Sequence, residues 1–246
     1  MNMNVEIFEN AEAVAQRAAD LIAEEAWIAI AAHGMFTMAV SGGHTPWLML
    51  RALAGAGIPW RAVQIFQVDE RVAPAGDSDR NLTHIRESLL DHSPLRPEQI
   101  HAMPVESADL DAGAEQYAET LRGIAGSPAV FDLVHLGLGG DGHTASLVPG
   151  DPVLRVENVD VALTGSYQGR RRMTLTYPIL NRARRVLWVV TGKEKAEPFK
   201  RLLAGDHSIP AGRIRPNEAL VIADRCAAGS TAIAASILHG GETICV

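Results

Sequence analysis

The chain has 246 residues, 47% of them hydrophobic and 21% charged, the composition of a folded globular protein long enough to bury a sizeable core. Its 22 Lys+Arg against 29 Asp+Glu give a net charge of −7, which excludes a general electrostatic pull toward nucleic acid or an anionic membrane and leaves any anionic ligand to be held by local chemistry. Aromatic residues at 5% argue against broad stacking surfaces for bases or sugars.

In chain order, residues 11–32 place Val14, Ala18, Leu21, Ile22, Trp27 and Ile28 near helical spacing, with Glu12, Arg17, Asp20, Glu24 and Glu25 between them, and read as an amphipathic helix. The apolar run 35–40 stops at Ser41-Gly42-Gly43, and Thr45-Pro46 then opens a helical pattern to residue 54, giving strand, glycine turn and helix. Two further strands end in polar clusters: 63–68 runs into Asp69-Glu70-Arg71, and 131–136 into Gly137-Leu138-Gly139-Gly140-Asp141-Gly142-His143. Further strand candidates are 161–163, 173–176, 186–191, 219–222 and 243–246, with helical patterns at 81–90, 110–124 and 194–203. Strands separated by helices call for a parallel sheet, because a parallel crossover needs about a dozen residues. The class is α/β, with a mainly parallel sheet carrying helices on both faces. No linker or composition break appears, so residues 1–246 read as a single domain.

Cys226 and Cys245 have no partner at a metal-ligand spacing and read as buried thiols. The first residues lack a basic stretch followed by an apolar one, and no later run has the roughly 18 apolar residues of a membrane span, so a cytoplasmic location is expected.

In an open α/β sheet, ligands bind beyond the carboxyl ends of the strands. Three clusters fall there. Ser41-Gly42-Gly43-His44-Thr45-Pro46 joins permissive glycines and two hydroxyls to a helix start, a phosphate-holding arrangement that matches neither the dinucleotide fingerprint nor the Walker A loop; by itself it serves equally as a tight capped turn. Asp69-Glu70-Arg71 sets a guanidinium, suited to bidentate phosphate recognition, beside two acids, and by itself also fits a solvated charge cluster. The third cluster has four glycines in the six positions 137–142, with Asp141 and His143 flanking Gly142. That spacing lifts His143 above the other histidines as a proton-transfer group.

SGGHTP, VDERVAP followed by Asp79-Arg80-Asn81, GLGGDGHTASLVPG, Arg172 to Thr176, and Thr191-Gly192-Lys193-Glu194-Lys195-Ala196 occur in an order and spacing that resembles the 6-phosphogluconolactonases, over about residues 7 to 240. The resemblance implies a modified Rossmann-like fold shared with glucosamine-6-phosphate deaminases. It also implies hydrolysis of 6-phospho-D-glucono-1,5-lactone to 6-phosphogluconate in the pentose phosphate pathway, without metal or cofactor. Deaminases carry an acid in D-G-H-x-x-x-x-E-P, where this chain has Val148, and valine cannot transfer a proton. A sugar-phosphate isomerase or deaminase, and a non-catalytic sugar-phosphate sensor on the same fold, are the competing readings. Departures at Ala73-Pro74 and Arg80 touch the substrate loops.

On this reading His143 is the general base and acid, oriented by Asp141 or Asp69. Oxyanion donors are expected among backbone N–H groups at Gly43, Gly139 and Gly140. The phosphate falls to Arg71, Arg172 and Lys195, with Lys193 as an alternative to Lys195, supported by Ser41, Gly42, Thr45 and Thr144. The implied partner is a small sugar-phosphate lactone, with no nucleic acid and no membrane; oligomeric state is left open.

Overall fold

A computed structural model of the chain describes residues 3–216 and 218–229. The strands among them are β1 (Asn4–Phe8), β2 (Phe36–Val40), β3 (Val63–Gln67), β4 (Asp69–Arg71), β5 (Ile100–His101), β6 (Leu133–Leu136), β7 (Val161–Leu163), β8 (Arg172–Leu175), β9 (Arg185–Val190) and β10 (Glu218–Asp224). The helices are α1 (Ala11–His33), α2 (His44–Ala54), α3 (Asn81–Ser88), α4 (Leu110–Ala125), α5 (Tyr177–Arg182), α6 (Ala196–Leu203) and α7 (Arg225–Ala228).

Seven strands form one sheet in the order β1-β10-β9-β6-β2-β3-β5, every neighbouring pair parallel. Both faces are buried, and the pleat divides the side chains between them. In β9, Val186, Trp188 and Val190 belong to one core while Leu187 and Val189 belong to the other. In β10, Val221 and Ala223 oppose Leu220 and Ile222 in the same way. The second core holds the apolar faces of α1, α2 and α3; the first holds those of α4, α5 and α6.

The long helix α1 has conventional ends. Asn10 accepts from Ala13 N at 2.9 Å, and Gly34, at φ +83°, closes the C-terminus by donating to Ile30 O. Its buried stripe is Val14, Ala18, Leu21, Ile22, Ala26 and Ala29; Trp27 and Ile28, apolar positions in the sequence pattern, lie off that stripe and are 54% and 62% exposed.

The α/β class, parallel sheet and two helical layers are as the sequence indicates. Three strands escaped it: β1, edge strand β5, and β4, whose Asp-Glu-Arg reads as a loop because it lacks apolar residues. With β8 and β7, strand β4 makes a separate antiparallel sheet in the order β4-β8-β7. Cys226 is disulfide-bonded rather than a free thiol. Cys245 and the expected strand at 243–246 lie outside the described residues. No helix among the described residues is long and apolar enough to cross a membrane.

Candidate active site

β2 connects to β3 on one side of itself in the sheet, while β6 pairs on the other, so the crevice between the carboxyl ends of β2 and β6 is a topological switch point. A cleft of about 700 Å³ opens there, lined among others by Ser41, Gly42, Gly43, Thr45, Asp69, Arg71, Gly139, Gly140, Asp141, His143, Arg172 and Lys195. Twelve of the fourteen residues named for the site therefore meet at one place; Lys193 does not, and neither does Thr144. Its side chain is buried and its Oγ1 donates to Gly137 O at 2.8 Å, so it braces the loop from beneath.

The loop after β6 presents His143 in a defined state. Its Nδ1 lies 2.6 Å from Asp141 Oδ1, which also accepts from the His143 backbone N–H at 3.0 Å. Burial of Asp141 disfavours its charge, but the bonds and charge offered by His143, with a bond from Tyr167, outweigh that and hold its carboxyl below the ordinary range. An ionised carboxylate only accepts, so Nδ1 is the donor in this bond and Nε2 is the ring nitrogen left to other partners. Asp69 does not share this task. Its Oδ2 accepts from Ser146 Oγ at 2.5 Å and its Oδ1 from Asn81 Nδ2 at 3.3 Å, leaving Asp141 as the acid on the imidazole.

The glycines of this loop make room more than they donate. A Cβ on Gly139 would stand 2.1 Å from His143 Nδ1, so only glycine admits the ring there. The Gly139 N–H donates to His143 O at 2.8 Å and is thereby consumed within the loop, which removes it from the expected oxyanion donors. Ser41 is likewise committed: its N–H donates to His135 Nδ1 at 3.2 Å and its Oγ to His135 O at 3.1 Å. His135 is fully buried, which pushes its pKa down to about 3 and keeps the ring neutral and able to accept that bond. The hydroxyl of Thr45 pairs with that of Thr191. Ser41 and Thr45 thus shape the turn. The first-turn N–H groups of α2, which begins at His44, have no acceptor within the helix, as at any helix start.

The cationic end of the cleft comes from the small sheet. In the β4–β8 register Arg71 stands directly opposite Arg172. Like charges placed so oppose each other. Burial, then the charge of Arg71, lowers the pKa of Arg172. The Nε atoms of both arginines are buried with no partner, an arrangement suited to an anionic ligand. Arg71 is aimed by Asn81, whose Oδ1 accepts from Nη1 at 2.7 Å and whose Nδ2 donates to Asp69 O at 2.9 Å. A Cβ on Gly42 would stand 1.9 Å from that Asn81 Oδ1. Glu70 is not a solvated charge: it is fully buried and accepts from the N–H groups of Arg71, Asn81 and Leu82 and from Gln67 Nε2, all within 2.8 Å. It pairs also with Arg80 at 3.1 Å. Lys195 lines the cleft and Lys193 is exposed outside the lining, which separates the two lysines.

Tyr167, Gln168 and Asn81 were not singled out as site residues. Asn81 was within reach, since it stands in a motif; the segment Ser166-Tyr167-Gln168-Gly169 carries no pattern, and only the pairing of β7 with β8 brings it over the cleft. Among the described residues, no group of three or more His, Cys, Asp and Glu is placed to hold a metal ion.

Residues 9–223 match the family model described as glucosamine-6-phosphate isomerases/6-phosphogluconolactonase. The chain is 35% identical over 228 residues to a 6-phosphogluconolactonase of Synechocystis, covering 90% of this chain and 95% of that one. It is 34% identical over 242 residues to a 6-phosphogluconolactonase of Mycobacterium tuberculosis, covering 93% and 98%. Among solved structures, the 6-phosphogluconolactonase of Thermotoga maritima superposes with a TM-score of 0.81 at 25% identity, covering 91% of this chain and 99% of that one. A monomeric glucosamine-6-phosphate deaminase shares the fold with a TM-score of 0.77 at 20% identity, covering 92% and 99%. With the family model matched over most of its length and relatives at about 35% identity end to end, the chain belongs to the family of glucosamine-6-phosphate isomerases and 6-phosphogluconolactonases.

Proposed function

We propose that the chain, as a single domain over residues 1–246, hydrolyses 6-phospho-D-glucono-1,5-lactone to 6-phospho-D-gluconate in the oxidative pentose phosphate pathway. The observation that carries this is one cleft holding a His143–Asp141 pair with a free Nε2 and, from a different sheet, a cross-strand arginine pair with unpartnered Nε atoms. The first is a base for activating water and the second a seat for a phosphate.

In the reaction His143 Nε2 takes a proton from water as its oxygen bonds to C1 of the lactone. Asp141 stabilises the resulting imidazolium. The tetrahedral oxyanion is met by N–H groups at Gly43 and Gly140, the expected donors left once Gly139 is excluded. As the C1–ring oxygen bond breaks, the imidazolium returns its proton to the ring oxygen, and carboxylic acid and free hydroxyl result. Arg71, Arg172 and Lys195 hold the phosphate, each charge-assisted bond contributing about 1.5–3 kcal/mol.

The deaminase reading is disfavoured because the position of its acid is held by Val148, which is 4% exposed and absent from the cleft lining. The test is lactone hydrolysis corrected for the spontaneous rate. His143→Ala should lose at least about 10²-fold in kcat with its fold intact; near-normal turnover removes His143 from the chemistry, and release of ammonia from glucosamine 6-phosphate by the native chain would restore the deaminase reading.

A further inference from the structure

We propose that Tyr167 is a positioning residue joining the two ends of the cleft: its hydroxyl fixes Asp141 against His143 while its ring seats the guanidinium of Arg172. The inference rests on the lactonase reading for its kinetic consequence, though not for the contact itself.

Tyr167 begins a two-residue hairpin loop between β7 and β8. Its N–H donates to Arg170 O at 3.0 Å and the Arg170 N–H donates back at 3.3 Å, with Gln168 at φ +52° and Gly169 at φ +77° between them. Positive φ at both central residues is the tight turn whose twist matches the flanking strands. The tip is tied down, since Arg170 donates from Nε to Asp79 Oδ2 at 3.0 Å and from Nη2 to Asp77 Oδ2 at 3.1 Å. A tyrosine at the base of such a turn is held over the cleft by the backbone and by an ion pair on the far side of the loop.

From there it touches both halves of the site. The ring meets the His143 imidazole edge-on, with centroids 5.6 Å apart at 67°. The hydroxyl donates to Asp141 Oδ2 at 3.2 Å. The guanidinium carbon of Arg172 lies 4.9 Å from the ring centroid. Asp141 holds His143 through Oδ1 alone, and the terminal torsion of a carboxylate is soft. A second bond at Oδ2 stops the group from rotating toward solvent, to which its side chain is partly open. Burial, and then the charge of Asp141, raises the Tyr167 pKa, so the hydroxyl stays protonated and remains a donor. Gln168, next in the turn, accepts from Arg172 Nη2 at 3.2 Å, so the same turn steadies the arginine from a second side.

Two substitutions separate the two contacts. Tyr167→Phe keeps the ring and loses the hydroxyl, and should lower kcat about five- to tenfold with KM for the phosphorylated lactone unchanged. Tyr167→Leu loses both, and should add a severalfold rise in KM for the phosphorylated lactone, with none for unphosphorylated gluconolactone. If the hydroxyl acts through Asp141, Tyr167→Phe has no further effect in an Asp141→Asn background. A kcat for Tyr167→Phe within twofold of the native chain, or a loss that persists in that background, overturns the proposal. A second arm needs no substrate: the ¹⁵N resonance of His143 Nδ1 should move in Tyr167→Phe, because the ring beside it is retained and only the hydrogen bond changes. An unmoved resonance overturns the contact whether or not the chain proves to be a lactonase, whereas a native chain that leaves the lactone untouched refutes the activity and leaves the resonance to decide Tyr167.

Discussion

His143 owes its position to two neighbours with opposite demands, an acid that must be present and a side chain that must be absent. Gly139→Ala places a methyl 2.1 Å from Nδ1, and the movable partner is the imidazole itself. The expected outcome is a kcat loss of at least about 10-fold, approaching that of His143→Ala, with thermal unfolding little changed. Gly42→Ala does the same at the other end of the cleft: the methyl meets Asn81 Oδ1, leaving Arg71 Nη1 held by Asp79 O without Asn81 and raising KM while kcat holds. Asp141 supplies a prediction in pH. Its folded pKa lies below the ordinary carboxylate value, so its contribution is complete above that value and is lost only as pH falls through the lowered one. The His143–Asp141 bond should therefore persist across mildly acid pH, and an Nδ1 proton resonance that disappears well above pH 4 would contradict it.

At the scale of elements, the short sheet β4-β8-β7 brings two arginines from separate strands to the wall of one cleft. Opposing Arg71 to Arg172 costs stability in the free protein, by about 0.2–1 kcal/mol for a like-charged cross-strand pair. Arg172→Met should consequently unfold at a slightly higher temperature, by about 1–3 °C, while KM for the phosphorylated lactone rises at least about tenfold and turnover of unphosphorylated gluconolactone is spared. Equal losses on both lactones would remove Arg172 from the phosphate end. Glu70 holds this sheet to the start of α3 and neutralises Arg80, whose side chain is 3% exposed. Its removal strips the buried Arg80 of its closer carboxylate, leaving Glu106 at 3.5 Å, and orphans the N–H groups of Arg71, Asn81 and Leu82, so Glu70→Ala should destabilise the fold by about 3 kcal/mol in urea unfolding.

Across the whole molecule, a net charge of −7 repels an anionic substrate, against the attraction proposed for the arginine pair. Salt screens the long-range repulsion more than the buried contacts, so kcat/KM for the phosphorylated lactone should hold or rise between roughly 0.02 and 0.15 M salt; a steep fall would mean that the overall field assists binding. The −7 was visible in composition, and so were the parallel sheet, its two buried faces and the loops that carry the site, because strand runs, helical spacing and glycine turns are local patterns read one segment at a time. His143, Asp141 and Arg71 were legible for the same reason, each standing in a short motif at a strand end. What needed the tertiary structure was every relation across the chain: Arg172 set opposite Arg71 by strand register, Asp141 rather than Asp69 on the imidazole, the Gly139 N–H spent inside its own loop, and Tyr167 carried over the cleft by a hairpin whose sequence has no signature. Periodicity fixes which face a residue takes within its own element, but which distant residue it meets is decided by strand pairing and packing, and those are settled only when the whole chain is folded.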